Sequence, residues 1–128
     1  MRKNHVAIAA IVLLSLVPLV LMACGSSTPG RSQKTVTLAD DGKTISLQVG
    51  DSFLLKLGED YDWSPIVADQ AIVSRAMNIA VIRGAQGVYD SHKAGKTSLT
   101  ATGDPVCRQS TPPCEQPSRA FTIQIVVR

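Results

Sequence analysis

The sequence predicts an all-β domain, a sandwich of seven to nine short strands, on three observations. Runs of about four to eight residues alternate apolar and polar side chains, the period expected of half-buried strands. Turn-forming residues such as Asp41-Gly42 and Gly50-Asp51 punctuate these runs at short intervals. Helical periodicity over ten or more residues is absent after the N-terminal segment.

The elements follow in chain order. Thr35–Ala39 is a β-type run leading into Asp40-Asp41-Gly42-Lys43, a strong hairpin-turn signal. In Thr44–Val49 the residues Ile45, Leu47 and Val49 alternate with Thr44, Ser46 and Gln48. Gly50-Asp51 then turns the chain into Ser52–Leu57, with Phe53, Leu55 and Leu57 on one face. Asp62–Ala68 contains Pro65, which has no N–H to give a ladder and so predicts an edge or irregular strand. Ile72–Arg75 and Ile79–Arg83 are two more short apolar runs. Gly87–Ser91 and Lys96–Thr102 flank a turn at His92-Lys93-Ala94-Gly95. Ala120–Val127 alternates Phe121, Ile123, Ile125 and Val127 and is expected centrally in a sheet. This count and spacing predict an immunoglobulin-like β-sandwich, with Trp63 available for a core position.

The first 23 residues read differently. Arg2-Lys3 is a positive start, and Val6 to Ala23 is an uncharged, mostly apolar run interrupted by Pro18. Small residues follow, the pattern of a secretory signal peptide. Leu21-Met22-Ala23-Cys24 resembles the bacterial lipobox. That resemblance implies a diacylglyceryl group on the Cys24 thiol and cleavage before it. Several acyl chains on one residue anchor stably where one is marginal, since each buried CH₂ contributes ~0.8 kcal/mol. An uncleaved membrane helix is the alternative, and its positive end would leave the rest of the chain on the same outer side. The expected organisation is a signal peptide over 1–23, a flexible Gly/Ser/Pro-containing tether over 24–34 and one domain over 35–128. The expected location is the extracytoplasmic face of a cell membrane, with the lipid on Cys24 as anchor.

Charge and cysteine count agree with this division. The chain has 13 Lys and Arg against 10 Asp and Glu, but Arg2 and Lys3 belong to the leader, so the remainder carries about +1. No basic stripe is left to track phosphates, and no nucleic-acid partner is expected. Three cysteines are awkward in an oxidising compartment. With Cys24 lipidated, Cys107 and Cys114 are left to pair. On the chain-entropy model a loop of about eight residues removes roughly 2.5 kcal/mol of denatured-state entropy. Two cysteines and His92 do not make a four-ligand site, so no metal or other cofactor is expected. His92 lies in a turn with no Ser or Cys nucleophile motif around it, and no enzyme is expected.

Two families share features with this chain. Val49-Gly50-Asp51, then Tyr61-Asp62-Trp63, resembles the first half of the chagasin-type cysteine peptidase inhibitors. Gly84-Ala85-Gln86-Gly87 falls where that family has a Gly-rich loop, with Gln86 in place of a glycine. Ala94-Gly95, Leu99 and Asp104-Pro105 fall where its third loop begins, and Phe121–Val127 matches its last strand. The family's Asn-Pro-Thr-Thr-Gly is replaced by Gly58-Glu59-Asp60, and its Arg-Pro-aromatic motif is missing, though Pro105 and Arg108 lie nearby. The resemblance, over Thr44–Val127, implies a monomeric inhibitor of papain-like cysteine peptidases that fills the active-site cleft with loops. The implied contacts are Tyr61, Asp62, Trp63, Gly84, Ala85, Gln86, Gly87, Asp104, Pro105 and Arg108.

Gly87-Val88-Tyr89, Lys93–Thr102 and Asp62-Trp63-Ser64 are similar to the closing hairpin and mid-domain Trp of bacterial immunoglobulin-like surface modules. That likeness implies an adhesion or envelope-binding role without inhibition.

The residues themselves leave choices. Tyr61 and Trp63 beside Glu59, Asp60 and Asp62 suit a wedge into a partner's cleft, or a core Trp with solvated carboxylates around a turn; a calcium site lacks the EF-hand glycine and distal Glu. Asp104–Pro117, rich in Pro and crosslinked, suits a presented surface or a plain staple. Gly84–Gly87 suits a contact loop or an ordinary turn.

Overall fold

A computed structural model describes residues 33–128; the expected leader, Cys24 and the tether up to residue 32 lie outside the described residues. The first sheet holds β1 (Gln33–Thr37), β3 (Ser52–Lys56), β6 (Gly87–Ser91) and β5 (Val73–Arg75), in the order β1-β3-β6-β5. The second holds β2 (Thr44–Leu47), β8 (Arg119–Val127), β7 (Gly95–Pro105) and β4 (Tyr61–Val67), in the order β2-β8-β7-β4. Eight strands in two facing sheets make the expected immunoglobulin-like sandwich.

Alternation decides which side chains are enclosed, because successive residues of a strand point to opposite faces. Phe121, Ile123, Ile125 and Val127 of β8 are buried, as are Thr97, Leu99 and Ala101 of β7. Across the core they meet Phe53 and Leu55 of β3 and Val36 of β1. Tyr89 of β6 stacks on Phe53, with ring centroids 5.3 Å apart. Burial raises the pKa of the Tyr89 phenol, against a small opposing effect of the Arg75 charge. β8 lies between β2 and β7, the central place its pattern predicts. β4 is an edge strand, which is where Pro65 can sit without orphaning a partner.

Several connections differ from the sequence reading. Asp40-Asp41-Gly42-Lys43 does not close a hairpin: β1 pairs in parallel with β3, and β2 in parallel with β8 in the other sheet. The Asp41 carboxylate accepts the Thr122 amide at 2.8 Å, and the Gly42 amide donates to the Thr122 carbonyl at 2.7 Å. These bonds dock the turn on β8 and carry the chain between sheets. Gly50-Asp51 is a turn, as expected, and carries the chain from β2 to β3 in the other sheet; His92–Ala94 is also a crossing between sheets, so Gly87–Thr102 is no hairpin. The β-hairpin of the second sheet is β7–β8, in register from Gly95↔Val127 to Gly103↔Arg119. Ile79–Arg83 forms no strand. Both sides of β6 are already occupied, by β3 and β5, and Asn78 breaks the extended backbone with a φ of 58°. β1 begins at Gln33, two residues inside the expected tether.

The turn after β1 is fastened by Asp40, whose carboxylate accepts the Thr37 amide at 3.0 Å. That bond holds the Asp40 pKa below its ordinary value against the opposing effect of burial, with the Lys43 ammonium adding a further lowering. A depressed carboxylate stabilises the fold above its unfolded pKa, ~3.9, and loses that contribution as the pH falls through the folded value. Asp40→Asn should therefore lower stability near neutrality and flatten its decline below about pH 4, read by urea titrations across pH. In the core, Phe121→Ala should cost about 3–5 kcal/mol in the same measurement.

Candidate functional site: three loops at one end of the sandwich

Strand direction brings three loops together. β3 ends at Lys56 and β4 starts at Tyr61, which leaves a first loop of Leu57–Asp60. β6 runs antiparallel to β3 with Gly87 opposite Leu55, so the second loop, residues 76–86, arrives at that same end. β7 runs antiparallel to β4 with Pro105 opposite Tyr61, so the third loop, residues 106–118, joins them. Gln33 lies opposite Ser52 at the other end of the sheet, so β1 enters the sandwich far from the loops.

The first and second loops are fastened by backbone and by one side chain. The Gly58 amide donates to the Gly84 carbonyl at 3.0 Å. Both glycines have left-handed φ values, 95° and 79°, which a Cβ would strain. The Gln86 side chain accepts the Leu57 amide at 2.6 Å and donates to the Gly58 carbonyl at 2.9 Å. A glycine at 86 could make neither bond, so this departure from the Gly-rich pattern has a physical function. Arg83 Nε meets Glu59 Oε1 at 2.6 Å, which raises the arginine's pKa. Both partners are solvent-exposed, so the pair orients the loops more than it stabilises them.

The first and third loops are fastened at Tyr61. The Val106 amide donates to the Asp60 carbonyl at 3.1 Å, and Gln116 Nε2 donates to the Tyr61 hydroxyl at 2.7 Å. Cys107 and Cys114 are bridged, with Cα atoms 5.5 Å apart, as the cysteine count predicted. Arg108 Nε donates to the Gln116 carbonyl at 3.0 Å and its Nη1 to Ser118 Oγ at 3.1 Å. Asp104 accepts from Ser118 Oγ and lies 3.6 Å from Arg108 Nη1.

The expected contact residues divide into two groups. Half-buried Tyr61, Gly84, Ala85 and Gln86 and exposed Asp62, Asp104 and Arg108 are at or near the surface of this end. Trp63, Gly87 and Pro105 are buried instead. Trp63 is 8% exposed and belongs to the core, its ring 5.4 Å from that of Tyr61. A Cβ on Gly103, its partner in the ladder, would lie 2.8 Å from the indole, so glycine there makes room for the ring. Gly87 packs under Arg75, whose Nε would be 2.8 Å from an added Cβ.

Two features escaped the sequence reading. Gln116 and Ser118 are polar residues with no local pattern, and their partners are distant in sequence. Met77, Ile79 and Ile82 stand 80%, 51% and 58% exposed on the second loop, where the apolar run suggested a strand. Among the described residues no cluster of three His, Cys, Asp or Glu side chains could hold a metal. His92 sits at the far end, its Nε2 2.7 Å from Ser74 Oγ.

Comparison with known proteins gives a likeness of fold. No protein-family model matches the chain, and no curated protein matches it. Among solved structures, the cysteine protease inhibitor EhICP2 from Entamoeba histolytica superposes with a TM-score of 0.56 at 16% identity, covering 74% of this chain and 94% of that one. Amebosin matches at a TM-score of 0.42 and 20% identity, over 75% and 98% of the two chains.

Gln86→Ala should leave the Leu57 amide and the Gly58 carbonyl without partners, at about 1–3 kcal/mol. Faster hydrogen exchange at Leu57, with the β8 amides less affected, would show the loss to be local to the loops.

Proposed function

We propose that this chain is a lipid-anchored, extracytoplasmic inhibitor of papain-type cysteine peptidases that acts by inserting loops into the active-site cleft. The observation that carries the reading is the convergence of three mutually fastened loops at one end of an immunoglobulin-like sandwich. These are the loops that the sequence resemblance to chagasin-type inhibitors implies as contacts. A solved structure with the same fold over almost its whole length is itself a cysteine protease inhibitor.

The physical arrangement suits a wedge. Loops held by backbone bonds, Gln86 and a disulfide lose little conformational entropy on docking. Tyr61 is half-buried against Trp63 and offers a partner a rigid aromatic edge with two side-chain torsions. The inhibitor needs no chemistry of its own, since occupying the cleft is enough. A lipid on Cys24 would tether the domain through β1, which enters at the end away from the loops. The loops would then face outward from the membrane.

An adhesion or envelope-binding module is the second reading, and the exposed Met77, Ile79 and Ile82 favour it. An apolar arm of this kind on the second loop suits a flat partner as well as a cleft. Titration of the oxidised Arg31–Arg128 fragment against papain separates the two. Inhibition at micromolar concentration or below is the expected result, weakened by Tyr61→Ala. Absence of inhibition at those concentrations sinks the peptidase reading and leaves the module.

A further inference from the structure

The geometry points to Gln116 as a positioning residue that sets the orientation of Tyr61, with the Cys107–Cys114 bridge and Arg108 holding Gln116 in place. The inference rests on the inhibitor reading for its consequence, but the positioning itself is a property of the free protein.

Tyr61 is the aromatic at the junction of the first and third loops, and its ring is confined on one side by Trp63. Among the described residues its hydroxyl has one partner, Gln116 Nε2 at 2.7 Å, 55 residues further along the chain. Gln116 is exposed, outside any strand, and would be a free surface side chain if the third loop did not direct it. Three restraints do so. Its carbonyl accepts Arg108 Nε at 3.0 Å. Its Oε1 lies 3.6 Å from Cys107 Sγ, a contact only, since a bridged sulfur has no hydrogen to donate. The bridge closes the loop two residues before it, and the Cys114 amide donates to the Cys107 carbonyl at 3.2 Å. Arg108 is fixed in turn by Ser118 and Asp104.

This chain of contacts runs from the disulfide to the aromatic hydroxyl without passing through the core. It therefore couples two loops whose sequences are otherwise independent. Oxidised, the third loop presents Gln116 to Tyr61, and the two loops dock as one body. Reduced, the loop keeps Arg108 and the Val106–Asp60 backbone bond but loses the closure that aims Gln116, and the Tyr61 ring keeps its Trp63 neighbour without its hydroxyl partner. A partner that binds the Tyr61 edge thus meets a preorganised surface only while the bridge is intact.

The test uses the lipidated chain from Cys24 onward in detergent micelles; Trp63 is its single tryptophan and reports on Tyr61 beside it. Trp63 emission, thermal unfolding and inhibition of papain are measured for the parent chain, Gln116→Leu, Gln116→Glu, Tyr61→Phe and the Tyr61→Phe/Gln116→Leu double variant. In the parent Gln116 Nε2 donates to the Tyr61 hydroxyl; a carboxylate at 116 can instead accept a hydrogen bond from that hydroxyl, so Gln116→Glu should keep the parent emission. Gln116→Leu should change emission with little change in the midpoint and weaken inhibition about three- to ten-fold. It should add nothing further on a Tyr61→Phe background. Thiol reduction of the parent chain should reproduce the Gln116→Leu emission. Parent-like emission for Gln116→Leu, or full additivity in the double variant, overturns the inference. If the parent chain fails to inhibit papain, the inhibitor reading falls by itself. Emission then decides the positioning in the same two directions.

Discussion

β7 and β8 form a continuous antiparallel ladder from Gly95↔Val127 to Gly103↔Arg119, and the rest of the domain is assembled on it. One flank of that ladder takes β2 and the other takes β4, so the second sheet exists because β7–β8 does. Its inner face supplies Leu99, Ala101, Phe121, Ile123 and Ile125, all fully buried. The first sheet closes over this face through Phe53 and Leu55. Each such side chain contributes roughly 1.5–3 kcal/mol by leaving water. Surface ion pairs contribute far less.

The ladder also places the candidate site. β7 extends to Pro105, far enough to pair with Tyr61 at the start of β4, and so delivers the third loop beside the first. Gly103 makes this possible, because only a residue without Cβ lets the Trp63 ring lie against β7. Trp63 in turn supports Tyr61. The buried indole, for which the sequence left core and contact both open, is thus the support beneath the Tyr61 ring. The loop end is consequently built as a surface on a rigid base, the arrangement that loop-borne recognition requires.

The legible and illegible parts of the structure separate by the range of the interaction. Strand faces were legible because burial repeats every two residues, and β8 was placed centrally for that reason. The edge position of β4 was legible from Pro65, since a missing N–H is a local fact. Turn signals at Asp41-Gly42 and Gly50-Asp51 located the turns, but the hairpin read at the first does not form. A turn residue states that the chain reverses or bends; whether the next strand joins the same sheet depends on which edge is free. Ile79–Arg83 shows the same limit. Its residues suit a strand, but β6 has no free side to pair with it.

By itself, the sequence determined the all-β class, the buried face of most strands, the Cys107–Cys114 pairing and the first and third loop regions. All are properties of neighbouring residues or of cysteine count. Tertiary structure decided which strands share a sheet, that Trp63 is core, and that Gln86 and Gln116 fasten the loops. Those outcomes turn on partners tens of residues away, such as Gln116 and Tyr61, which meet only when β4 pairs with β7. Hydrogen bonds of that kind leave no periodicity in a chain, because their geometry is created by the packing of the sheets.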